Sequence, residues 1–141
     1  MSNDDNLFIA ESKAIKEIAE KGSCVIVGRC SNYILKENPN VINIFLYSDD
    51  ESKVKRAVRY YGLDEKNALK EINRINKNRE KHYNYYTQEK WKDLNNYDLS
   101  INVDALGVEK TADFITEFVN NKNLIKALKI YAEQTNKKQK I

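Results

Sequence analysis

The apolar positions along the chain change period several times, and each change marks an element. Over residues 6–21 they recur at helical spacing, with Phe8, Ile15, Ile18 and Ala19 near one face, and Gly22 supplies a stop. Directly behind it, Cys24, Val25, Ile26 and Val27 form a short unbroken apolar run that reads as a strand buried on both faces, closed by Gly28-Arg29. Residues 32–35 fit a short helical turn, broken at Asn38-Pro39-Asn40, after which residues 41–47 predict a second, largely buried strand. Ser48 with Glu51 three positions on has the form of a capping box and predicts a helix to about Tyr60, ended by Gly62. Asp64 can cap the next helix, whose Ala68, Leu69, Ile72 and Ile75 share a face before the sequence turns basic and aromatic over residues 74–86. Residues 97–103 alternate like a third short strand, and residues 108–119 return to helical spacing through Ala112, Ile115 and Val119. Beyond Asn120-Asn121, Leu124, Ile125, Leu128 and Tyr131 predict a last amphipathic helix, its apolar face free to dock on the core or on a second copy, running into a polar tail that should fray.

Strand and helix in alternation predict an α/β fold. Residues 1–121 are expected to form that α/β domain, and residues 122–141 the C-terminal helix and basic tail. A chain of 141 residues, 41% hydrophobic and 32% charged, has the composition of a globular protein able to bury a core. Its net charge is only +3, and part of that excess lies in Lys137, Lys138 and Lys140, which argues against a nucleic-acid binder. Cys24 and Cys30 are too few for a disulfide framework or a four-ligand metal site, and no secretory or transmembrane-length apolar run occurs, so a reducing cytoplasm is expected. The only histidine, His82, has no cluster of ligating residues around it, and no metal site is expected.

The candidate chemistry lies at Gly28-Arg29. Taken alone, it is a strand-to-loop turn with a solvent-facing arginine; at the C-terminal end of a buried strand it delivers a guanidinium to the sheet edge where α/β proteins bind ligands. No glycine-rich phosphate loop of the form G-x-x-x-x-G-K-[ST] accompanies it anywhere in the chain. Val25-Ile26-Val27-Gly28-Arg29-Cys30, then Ile44-Phe45-Leu46, then Arg79 with Tyr85-Tyr86, then Tyr97-Asp98-Leu99 and Asn102 occur in that order. Together these motifs, spread from about residue 7 to 119, resemble the cytidylate kinase-like family of P-loop nucleoside monophosphate kinases, and the resemblance implies a three-layer parallel sheet with helices on both faces, here truncated.

The resemblance implies ATP, Mg²⁺ and a nucleoside monophosphate as ligands, with the γ-phosphoryl group passed from one nucleotide to the other. It implies substrate-binding roles for Arg29, Cys30 and Asn76, a catalytic role for Arg79 in a segment that closes over the nucleotides, and an ATP-side role for Arg56. Cys30 stands where cytidylate kinases proper have an aspartate that helps recognise cytosine, and a thiol cannot accept from the base as a carboxylate does, so cytosine preference does not carry over. Asn76 likewise stands where an aspartate is usual, three residues before Arg79. The missing phosphate loop implies that the first strand and helix of such kinases are absent. That leaves a gap beside residues 24–27, to be closed by the remaining strands, by another chain, or not at all, with poor stability.

The chain is therefore expected to bind nucleotide or phosphate and to transfer no phosphoryl group alone, with a homo-oligomer or a complementing chain as possible partner and no membrane contact. A non-catalytic interaction module is the alternative. Single-stranded RNA binding through Arg74, Lys77, Arg79, Lys81 and the interleaved tyrosines is a third reading, with the modest net charge against it.

Overall fold

A computed structural model describes residues 1–139. The chain is a mixed α/β protein, mostly helical, with a small parallel sheet of two strands. Its elements are α1 (Asn3–Lys21), α2 (Ser31–Ile34), β1 (Ile44–Tyr47), α3 (Asp50–Tyr61), α4 (Glu65–Thr87), β2 (Leu99–Asn102), α5 (Val103–Leu106) and α6 (Val108–Gln139), with a 3₁₀ turn at Leu94–Asn96 before β2. Among the described residues, no helix is long and apolar enough to cross a membrane.

Two compact units can be distinguished, the first made of Met1–Phe45 and Asp50–Ile101, the second of Leu46–Asp49 and Asn102–Ile141. In the first, α1 begins with a capping box: Ser2 accepts from the Asp5 amide, and the Asp5 carboxylate accepts from the Ser2 amide. The Ser2 hydroxyl holds the Asp5 carboxyl below the usual carboxylate range. α3 and α4 pack against each other across a turn in which Gly62 takes a left-handed φ of 66°, and Ala57 and Ala68 are buried. The small side chain of Ala68, with no exposed surface, lets the helices approach closely. Where β1 meets β2, the Asn43 carbonyl accepts from the Asp98 and Leu99 amides, and the Asp98 carboxylate accepts from the Asn43 amide at 2.7 Å. An aspartate at a strand entrance thus stitches two chain segments together.

In the second unit, Asn102 caps α5 by accepting from the Asp104 amide, and the Asp104 carboxylate accepts from the Ser48 hydroxyl at 2.9 Å and the Asp49 amide at 2.7 Å. Ser48, read from the sequence as a capping-box residue, thus donates to Asp104, and α3 starts only at Asp50. The two helices expected on either side of Asn120-Asn121 are one continuous α6. Asparagine in a helix interior costs only about 0.7 kcal/mol relative to alanine, too little to break a helix with good formers on both sides. Leu124, Ile125, Leu128 and Tyr131 are all more than half exposed. The helix reaches Gln139, and the end of the tail expected to fray, with Lys140, lies outside the described residues.

The main correction concerns residues 24–27. They are not a buried strand: the run has no sheet partner, Val25 is 93% exposed and Val27 84%, with only Ile26 half-covered. An apolar run becomes a buried strand only if a neighbouring strand takes up its backbone hydrogen bonds, and the sheet among the described residues consists of β1 and β2. The buried apolar side chains are correspondingly few, namely Ile15, Cys30, Leu35, Ala57, Ala68 and Tyr83. Among the described residues the expected sheet is thus reduced to β1 and β2, and the helices pack in pairs, α1 with α2, α3 with α4 and α5 with α6.

Candidate functional site: a groove at Arg29

Gly28, Arg29 and Cys30 all have left-handed φ, 69°, 58° and 58°. For the two side-chain-bearing residues such a conformation costs on the order of 1 kcal/mol each, and it persists here between two anchors. Behind it, Cys30 is buried and its carbonyl accepts from Tyr33 and Ile34 at the start of α2; within it, the Gly28 carbonyl accepts from Ser31. The tight reversal turns the Cys30 side chain inward and leaves Arg29 largely exposed.

Arg29 lines an open groove of about 810 Å³ between the N-terminal half of α1 and the C-terminal half of α4. Phe8 and Tyr86 stack across it, ring centroids 4.3 Å apart, and His82 meets both rings at its edge. Lys81 and His82 stand with Arg29 on its wall, and Asp4, Asp5 and Glu11 supply carboxylates. The Glu11 carboxylate Oε1 lies 3.7 Å from Arg29 Nη1.

A second cluster surrounds Cys30. Burial, with the Glu11 charge adding to it, pushes the Cys30 thiol up to about 11, so it remains a neutral thiol. Asn32 Nδ2 donates to the Tyr83 hydroxyl at 3.0 Å, and the Tyr97 hydroxyl donates to the Trp91 carbonyl at 2.5 Å. The phenols of Tyr83 and Tyr97 are both raised, first by burial; the hydrogen bond from Asn32 opposes the rise at Tyr83, and the Arg79 charge opposes it at Tyr97. Arg79 itself lies over the Trp91 ring, 4.8 Å from its centroid, and donates to Asn76 Oδ1 at 3.4 Å. Phe45 meets Trp91 edge-on and tilts against Tyr97.

Of the nucleotide-site residues expected from the sequence, Arg29 lines the groove, beside Lys81 of the RNA-binding reading and the motif residues Tyr85 and Tyr86. Cys30 is the buried anchor beneath it, Arg79 and Asn76 belong to the Trp91 cluster, and Arg56 is half-buried in α3. Arg74 is tied bidentately to Glu71. Glu11 and Phe8 were missed as members of the groove; the one available signal was that the two, three apart, share a helical face.

A comparison with protein families matches residues 1–105 to the cytidylate kinase-like family. The chain belongs to the cytidylate kinase-like family. Among solved structures, this cytidylate kinase-like chain is similar to an uncharacterized protein from Eubacterium ventriosum ATCC 27560, at 34% identity and a TM-score of 0.79, over 86% of this chain and 69% of that one. None of the curated proteins compared matches it. The family match covers both arginine clusters and the whole groove, and it stops before α6.

Proposed function

We propose that this cytidylate kinase-like chain binds the phosphate of a nucleotide at the Arg29 groove and transfers no phosphoryl group by itself. The observation that carries the reading is the Gly28 to Cys30 reversal, a costly backbone conformation that presents a guanidinium to a groove shared with Lys81 and His82. Arginine holds phosphate oxygens bidentately, a lysine adds point charge, and His82 can donate from its ring nitrogen. A nucleoside monophosphate fits such a site, its phosphate at Arg29. Arg79, resting on Trp91, is the second cation of the reading, available to a nucleotide once it leaves the indole face.

The family implies ATP and Mg²⁺, and none of the four glycines stands in a G-x-x-x-x-G-K-[ST] loop that would cradle the ATP phosphates. In this reading the phosphate loop comes from another segment or another chain. The free thiols of Cys24 and Cys30 suit a cytoplasmic location.

Calorimetric titration with each nucleoside monophosphate tests the proposal. Binding lost in Arg29→Ala supports it, and binding unchanged in that variant overturns it. A second reading, an interaction module, is favoured by one observation, the exposed and unpaired run at residues 24–27, which could add a strand from a complementing chain.

A further inference from the structure

The groove places the Glu11 carboxylate beside the Arg29 guanidinium. Glu11 projects from α1 one turn beyond Phe8, and its side chain is 22% exposed against 64% for Arg29. The covered carboxylate is therefore the fixed member of the pair, and the guanidinium the movable one. Their single approach of 3.7 Å is longer than a hydrogen bond and engages one nitrogen of a group with five N–H donors. Arg29 is thus held in the groove without being saturated.

Resting on the phosphate-binding reading above, we infer that Glu11 sets the anion affinity of the groove by competing for Arg29 and repelling whatever anion replaces it. The other carboxylates are placed differently. Asp5 is engaged by Ser2 at the cap of α1, and Asp4 and Asp5 lie six or seven residues from Glu11, roughly 10 Å along the helix. Lys81 makes no ion pair among the described residues, so the ion pair of the groove is Glu11 with Arg29. With glutamate at position 11, Arg29 and Lys81 offer an incoming phosphate a net charge of one; with glutamine in its place they offer two.

The test is calorimetric titration of the full chain with inorganic phosphate and with cytidine monophosphate, in wild type, Glu11→Gln, Arg29→Ala and the double variant. Glu11→Gln tightens both ligands about three- to tenfold, the fold-change expected when an exposed ion pair and a like-charge repulsion are removed together. The gain vanishes in the Arg29→Ala background, which a merely structural effect of Glu11 would not do. Glu11→Asp keeps the charge and binds within about twofold of wild type, so a general loss of folding at this position would show itself. If Glu11→Gln binds as wild type does while Arg29→Ala loses binding, the inference falls and the phosphate-binding reading stands. Should neither wild type nor Glu11→Gln bind, or should Arg29→Ala bind as wild type does, both fall.

Discussion

Replacing Val25 by lysine should leave the stability of the isolated chain almost unchanged. Complete burial of a valine contributes roughly 1.5–3 kcal/mol. At 93% exposure Val25 retains about 7% of that, on the order of 0.1–0.2 kcal/mol. Its loss, plus the modest strand propensity difference, keeps the change within about 0.5 kcal/mol. In a strand buried on both faces the same lysine would cost several kcal/mol, because an ammonium group would lose its hydration without a partner. Urea unfolding of wild type and Val25→Lys, compared at equal m-value, separates the two cases. A loss above about 1.5 kcal/mol would refute the account of residues 24–27 as unpaired and exposed.

Other perturbations probe other parts of the fold. The exposed Cys24 should react with a thiol reagent at pH 8 in a fast phase and the buried Cys30 in a slow one; two equally fast thiols would contradict the reversal at Gly28. Because burial raises the folded pKa of Cys30 from 9.0 to about 11, its contribution to stability is fully present below pH 9 and is lost as pH rises through 11, a loss that Cys30→Ala should abolish. Ala68→Leu should cost about 1–3 kcal/mol by forcing α3 and α4 apart, measured as a fall in urea midpoint. Arg79→Ala should alter the emission of Trp91, the only tryptophan, at a cost of no more than about 1 kcal/mol; an unchanged spectrum would remove Arg79 from the indole face.

The helices were legible because their signals are local. The period of Ala68 and its neighbours, and the stop at Gly62, fix α3 and α4 to within a few residues. β1 and β2 were legible too, though the first three residues of the expected strand 41–47 stay outside the sheet, and Leu46 and Tyr47, expected to be largely buried, are about half exposed. The run at residues 24–27 misled because its composition reports what a strand prefers, whereas burial depends on a neighbour distant in sequence. Ser48 shows the same limit: its hydroxyl donates to Asp104, 56 residues away, a partner that no local pattern announces. At the site, Arg29 stood out through the Gly-Arg pair, and its left-handed backbone did not, since arginine rarely adopts it. Glu11 carries no local mark of its pairing with Arg29, which exists only because α1 and the reversal after residue 27 meet in three dimensions.

The central claim, that Arg29 presents an anion site in its groove, is tested most directly by following backbone amide chemical shifts by NMR during titration with cytidine monophosphate. The account predicts saturable shifts concentrated at Gly28, Arg29 and Cys30 and at Lys81 and His82. Shifts that leave the amides of Gly28, Arg29 and Cys30 unmoved at saturation would contradict it.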